Sequence, residues 1–114
     1  MTDCLFCKMV AGTIQPDVVY EDEHVLAFRD VNPQAPVHVL IIPKQHIATT
    51  NDLDESNAHL PGRMLLAAKR VAEEAGIAER GYRTVLNCNP EAGQSVYHLH
   101  LHVLGGRPMH WPPG

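Results

Sequence analysis

Eight consecutive residues near the end of the chain, Tyr97-His98-Leu99-His100-Leu101-His102-Val103-Leu104, alternate between apolar and polar side chains over the histidine positions. Side chains along a strand point to opposite faces in turn. The run therefore predicts a strand with Tyr97, Leu99, Leu101 and Val103 on one face and His98, His100 and His102 on the other. The apolar face needs a cover, and one stretch offers it. Met64, Leu65, Ala68, Val71, Ala72 and Ala75 recur at helical spacing opposite Arg63, Lys69, Arg70, Glu73 and Glu74. Asp54 or Asn57 is the expected cap of this helix, Pro61 fits its first turn, and Gly76 ends it.

The remaining elements are shorter. Cys4–Ala11 reads as a short helix closed by Gly12, and Val18–Tyr20 and His24–Arg29 as two strands around the acidic turn Glu21-Asp22-Glu23. Pro33 and Pro36 mark a loop, after which Val37–Ile42, apolar apart from His38, runs to Pro43, the composition of a central strand. Arg83–Asn87 is a further strand, joined to the histidine run by the polar loop Asn89–Ser95. Strands on both sides of one main helix give an α+β class with a mostly antiparallel sheet, as a single domain over residues 1–114.

Charge and hydropathy narrow the function. A net charge of −4 without a basic run argues against holding nucleic acid or an anionic membrane surface. Apolar stretches such as Val39–Ile42 fall far short of a bilayer span. Met1–Gly12 shows no charged start followed by an apolar core, so a secretory leader is not expected and a cytoplasmic location with reduced thiols is. The pair Cys4-Leu5-Phe6-Cys7 is open to metal binding, redox chemistry or neither.

Histidine is over-represented: eight residues, against six of Phe, Trp and Tyr together. Alternate imidazoles on a strand stand roughly 7 Å apart. Neighbours in such a row can chelate Zn²⁺ through bonds of about 2.1 Å, although roughly 13–14 Å end to end is too long for one ion to take all three. The competing chemistry is nucleophilic attack on phosphorus by the central ring, since neutral imidazole is a nucleophile that titrates near neutrality. The flanks favour phosphate. Gly93-Gln94-Ser95 precedes the row and Gly105-Gly106-Arg107 follows it, and glycine lets backbone N–H groups approach an anion.

These residues carry a resemblance. His98-Leu99-His100-Leu101-His102-Val103-Leu104 is similar to the His-x-His-x-His-x-x signature of the histidine-triad, or HIT, superfamily. The flanks Gly93-Gln94-Ser95-Val96-Tyr97 and Gly105-Gly106-Arg107 resemble its Hint branch of purine nucleoside phosphoramidases. So do Leu26-Ala27-Phe28-Arg29-Asp30, Pro33-Gln34-Ala35-Pro36-Val37-His38 and the tail Met109-His110-Trp111-Pro112-Pro113-Gly114. The resemblance implies the HIT fold, with an antiparallel sheet of about five strands per chain, one long and one short helix, and a homodimer with a joined sheet. It also implies that the tail, residues 107–114, reaches the partner.

The implied activity is hydrolysis of the P–N bond of adenosine or guanosine 5'-phosphoramidates through a nucleotidyl-histidine. On that pattern His100 is the nucleophile, His102 contacts the phosphate, and His98 fixes the geometry of the row. His38 stands behind the nucleophile and holds its tautomer. Asn87, Gln94 and Ser95 line the phosphate and leaving-group region, with Ser95 counted among the catalytic groups. Phe6, Met9, Ile14, Phe28 and Val31 form the nucleoside slot, Asp30 accepts the ribose hydroxyls, and Trp111 belongs to the nucleotide site. No metal is required for this chemistry. Some bacterial relatives hold a structural Zn²⁺ through a cysteine pair and two histidines, and the matching positions are Cys4, Cys7, His46 and His98. The alternatives are the dinucleoside polyphosphate hydrolases of the same superfamily and a nucleotide-binding adaptor without enzymatic purpose. A third histidine at position 102 argues against a transferase.

Overall fold

A computed structural model describes residues 3–114; Met1 and Thr2, part of the stretch read for a leader and of the 1–114 domain, lie outside the described residues. Helix α1 (Leu5–Val10) is followed by strands β1 (Val18–Glu21), β2 (Val25–Arg29) and β3 (Val37–Pro43). Then come helix α2 (His59–Glu74), β4 (Tyr82–Val85) and β5 (Leu101–Gly105), with short 3₁₀ turns at Thr50–Asp52 and Pro90–Ala92. All neighbouring strands are antiparallel, in the order β1-β2-β3-β5-β4. The expected five-stranded sheet with one long and one short helix is therefore present, and the apolar run at Val37–Pro43 is its middle strand.

Each face of the sheet has its own core. Val25, Ala27, Val39, Ile41, Leu101 and Val103 point to one side, where with Leu99 they meet Leu60, Met64, Ala67, Ala68 and Val71 of α2. Leu26, Phe28, Leu40 and Ile42 point to the other side, where Phe6 of α1 covers them. The second face is the one that bears the histidines, because Leu40 lies opposite His102 in the β3–β5 register and His38 lies opposite Leu104. Among the described residues no helix is long and apolar enough to cross a membrane.

Three expectations need correction. The histidine strand does not run from Tyr97: its ladder begins at Leu101. The partner strand ends at Pro43, after which the chain bends away, and the Leu99 N–H donates to the carbonyl of Ile47 (2.6 Å). The alternation of faces persists back to Leu99, fully buried in the α2 core, but not to Tyr97, which the pattern puts on the same face and which is 43% exposed. Neither Asp54 nor Asn57 caps α2, whose N-cap position is Ala58 and has no side-chain hydrogen bond. Those two residues close the preceding turn instead, where the Asp54 N–H donates to Asn57 Oδ1 and the Ser56 N–H to Asp54 Oδ1. Leu65, placed in the apolar stripe, is 53% exposed, and the buried positions are Leu60, Met64, Ala67, Ala68, Val71 and Ala72. Ala75, also placed in the stripe, is exposed, so the buried stripe lies nearer the start of the helix and takes in Leu60 and Ala67.

Candidate active site

Four histidines and Phe6 build the site on the α1 face. The His100 Nδ1 lies 2.8 Å from the carbonyl oxygen of His98. A carbonyl only accepts, so Nδ1 carries the proton and the neutral ring leaves Nε2 as a bare lone pair. The rings of His100 and His102 are 5.1 Å apart, closer than alternate positions on a flat strand, because the chain bends before Leu101. Phe6 presents its edge to His100 at 5.2 Å and to His98 at 5.9 Å, so one aromatic ring packs against both. His100 is 6% exposed and His98 fully buried, so these two imidazoles form a covered floor and do not face solvent.

His38 does not hold the tautomer of His100, as the sequence reading had it. Its Nε2 is 2.9 Å from His102 Nδ1, and its Nδ1 accepts the backbone N–H of Gln34 at 3.0 Å. The Gln34 donor leaves Nε2 as the protonated nitrogen of the neutral His38 ring, so His38 donates to His102. His102 in turn keeps its own proton on Nε2. His38 and His102 sit diagonally across the β3–β5 pair, a relation that antiparallel register creates and sequence spacing does not display. Two neighbouring imidazoles thus take opposite roles, one offering a lone pair and the other an N–H. Burial lowers the His102 pKa to about 4, assisted by the adjacent His100 and His38 and opposed by Asp30. Burial also lowers His38, again against Asp30. Both rings are therefore neutral at pH 7, as these tautomers require.

Asp30 is half-buried beside His38, with Oδ2 at 3.5 Å from His38 Nε2 while Oδ1 accepts the N–H of Asn32. The turn-forming role of this residue is thus real, and one oxygen remains next to the histidines. Phe6 and Phe28 meet edge to face at 5.5 Å and are each 3% exposed, with Met9 packed against their cluster. They are the base of a slot more than its walls. Ile14 is half-buried, and Val31 and Trp111 stand out in solvent at 101% and 81% exposure. The buried cluster does not include these three. Gln94 requires a correction. Its side chain is buried and fully engaged, Oε1 accepting the N–H of Asn89 and Nε2 donating to the carbonyls of Ala48 and Val96, so it fastens the loop before the histidines and has no group to spare for a ligand. Asn87 and Ser95 are half-buried and exposed, and neither side chain is hydrogen-bonded among the described residues. In the tail, Arg83 Nη2 donates to the His110 carbonyl at 3.0 Å and its guanidinium lies 6.0 Å from the Trp111 ring centroid. Sequence reasoning missed the Gln34 N–H and the carbonyls of His98 and Pro43, because backbone groups carry no residue-type signal.

Behind this floor the Cys4, Cys7, His46 and His98 donor atoms all lie within 4.8 Å of one another. Cys4 Sγ is 3.3 Å and Cys7 Sγ 3.5 Å from His98 Nδ1, while His46 Nδ1 is 3.2 Å from both Cys7 Sγ and His98 Nδ1. Zinc bonds of about 2.0 to 2.3 Å in a tetrahedron put donor atoms about 3.3 to 3.8 Å apart, so the four residues fit that ion. His98 Nε2 donates to the Pro43 carbonyl at 2.8 Å, which leaves Nδ1 as the bare nitrogen facing the sulfurs. Burial lowers the His98 pKa and keeps the ring in the neutral, ligating form. The bare His98 Nδ1 and the His46 Nδ1 at 3.2 Å attract only with a proton or a cation between them.

The comparisons agree with this geometry. The HIT domain family matches residues 11–109. A purine nucleoside phosphoramidase of Escherichia coli strain K12 is 49% identical over 107 residues, covering 94% of this chain and 90% of the relative. A HIT family hydrolase from Legionella pneumophila superimposes with a TM-score of 0.95 at 55% identity, covering 98% of this chain and all of that one. A histidine triad nucleotide-binding protein from Candida albicans gives a TM-score of 0.82 at 29% identity over 96% of this chain and 83% of the other. With the triad, the five-stranded sheet and a match over most of its length, this chain belongs to the HIT family.

Proposed function

We propose that the protein is a purine nucleoside phosphoramidase: a hydrolase that cleaves the P–N bond of adenosine or guanosine 5'-phosphoramidates and releases the nucleoside monophosphate. The observation that carries this reading is the hydrogen bond between His100 Nδ1 and the His98 carbonyl, which leaves a nucleophilic Nε2 beside the N–H of His102. The Nε2 lone pair of His100 attacks the α-phosphorus. The P–N bond breaks, its electron pair leaves with the amine nitrogen, and that nitrogen takes up a proton from solvent, balanced by the proton that the attacking water releases in the second step. Positive charge that develops on the ring is spread to the His98 carbonyl, and the His102 Nε2–H donates to a phosphoryl oxygen where negative charge grows. Water then cleaves the nucleotidyl-histidine bond and regenerates the neutral ring. Asn87 and Ser95 serve the phosphate and the leaving amine with side chains that the fold does not otherwise use. Phe6, Met9, Ile14, Phe28 and Val31 receive the nucleoside, and the carboxylate of Asp30 accepts its ribose hydroxyls.

A structural zinc ion belongs to the same reading. Cys4, Cys7, His46 and His98 would hold it, and it would supply rigidity beneath His98, whose carbonyl orients the nucleophile. The homodimer is proposed through the exposed edge strand β4, with Trp111 reaching towards the neighbouring site; Leu65, Leu66, Tyr82 and Trp111 are the exposed large side chains that support it.

Turnover of adenosine 5'-phosphoramidate tests the reading. Wild-type protein should release AMP and yield a nucleotidyl adduct by mass spectrometry, and His100→Ala should lose both while still binding AMP. Equal turnover by parent and variant refutes the covalent mechanism. Preferred hydrolysis of diadenosine polyphosphates would assign the chain to that branch, and binding without turnover of either substrate would make it an adaptor.

A further inference from the structure

We infer that Arg107 is a positioning residue that fixes the tautomer of His38 and, through it, the donor role of His102. Arg107 follows the triad strand and lies outside the row of imidazoles. Its Nε and Nη2 both donate to the carbonyl of Gln34, at 3.3 and 3.1 Å, and Nη1 donates to the Pro108 carbonyl at 3.0 Å. No carboxylate pairs with this guanidinium among the described residues, so its charge is directed at carbonyl oxygens. Such charge-assisted contacts are stronger than neutral ones.

The residue that Arg107 grips is the one whose own N–H donates to His38 Nδ1. Gln34 is thus held at its carbonyl by Arg107 while its amide makes the contact that sets the imidazole. Gly106 brings the two segments together: with φ at +90° it adopts a conformation open to glycine, and a Cβ there would stand 2.8 Å from Pro36 Cβ. The base of the loop is tied by the Asp30 N–H, which donates to the His38 carbonyl at 3.0 Å, and Ala35 within it is buried. Asn32 N–H donates to Asp30 Oδ1 and Gln34 Nε2 to the Asn32 carbonyl, both contacts internal to the loop.

The consequence is chemical. While Gln34 N–H occupies His38 Nδ1, the proton of His38 must be on Nε2, and His102 must then accept at Nδ1 and carry its proton on Nε2. If the loop drifts, Asp30 Oδ2, 3.5 Å from Nε2, is the remaining group that favours the proton there; a His38 ring that holds its proton on Nδ1 makes His102 donate to it and turn a bare lone pair towards the phosphoryl oxygens. Two acceptors facing each other repel.

This inference rests on the reading of His102 as the phosphoryl donor, but its first test does not need turnover. In protein labelled with ¹⁵N at histidine, His38 and His102 should each show one protonated and one bare ring nitrogen at pH 7. Arg107→Ala should average those signals between tautomers, while Arg107→Lys, which retains a charged donor, should restore most of the wild-type pattern. With adenosine 5'-phosphoramidate, Arg107→Ala should lower kcat by about ten- to a hundredfold, the size of effect seen when a group that orients a ligating imidazole is removed, with KM changed far less. Wild-type ring nitrogen signals in Arg107→Ala overturn the inference, whether or not the enzyme turns over. Tautomer averaging in a wild-type protein that fails to cleave phosphoramidates leaves the proposed activity wrong and the inference refuted as well, whereas sharp tautomers lost only in Arg107→Ala keep it standing without that activity.

Discussion

Acidification should unfold this protein through its triad, and His102 sets the scale. In the folded chain its pKa is about 4, because burial and the neighbouring His100 and His38 outweigh Asp30. In the unfolded chain an imidazole titrates near about 6.5. Between those values the unfolded state binds a proton that the folded state refuses, so stability is complete above pH 6.5, falls as pH drops, and levels off for this group below pH 4. At about 1.4 kcal/mol per unit, a gap of about 2.5 units gives roughly 3 kcal/mol, or about 10 °C in Tm for a chain of this size. His38 and His98, also lowered by burial, act in the same direction. The carboxylates of Asp22 and Asp54, held low mainly by hydrogen bonds, lose their contribution only in more acidic solution. Denaturant unfolding of wild type and His102→Gln between pH 7 and 4.5 isolates the effect, because glutamine can still accept from His38 but does not titrate. The stability difference between the two proteins should shift by roughly 2 to 3 kcal/mol across that range in favour of the variant at low pH. A difference that stays constant would refute the argument that burial keeps His102 neutral.

Two further outcomes follow from the cores. Purified protein should contain near one zinc per chain by elemental analysis, and Cys4→Ser should lose it together with a fall in Tm; metal-free wild type of unchanged Tm would exclude the structural ion. Leu99→Ala should cost about 3 to 4 kcal/mol in chemical denaturation, since Leu99 is fully buried against α2 and its loss leaves a cavity; a cost under about 1 kcal/mol would show that the site collapses freely.

Which parts were legible in the sequence follows from what periodicity records. Alternation reports the face on which a side chain lies, so Leu99, Leu101 and Val103 were correctly assigned to the helix-covered core. It does not report hydrogen bonding to a neighbour, so the ladder could begin four residues later than the pattern with Leu99 still on the buried face. Composition identified β3 as the centre of the sheet for the same reason: a strand covered on both faces has no polar side to show. Register is another matter. Which imidazole meets His38 depends on pairing Leu40 with His102, and that is fixed by the packing of two whole strands. The family resemblance places Gln94 among the ligand contacts, yet a buried amide with three backbone partners is a fastening. The spacing of the cysteine pair leaves metal, redox chemistry or neither open; the family resemblance names His46 and His98 as its partners, and folding brings both against it.

Helix α1 spans only six residues, yet it carries Cys7 and Phe6 side by side. The sulfur faces His46 and His98 while the adjacent phenyl ring props His100 from below. The four candidate metal donors and the nucleophile therefore rest on one short helix. A designer who strips the sulfurs must find α1 a new anchor, or the phenyl support of the reactive imidazole will slip with it.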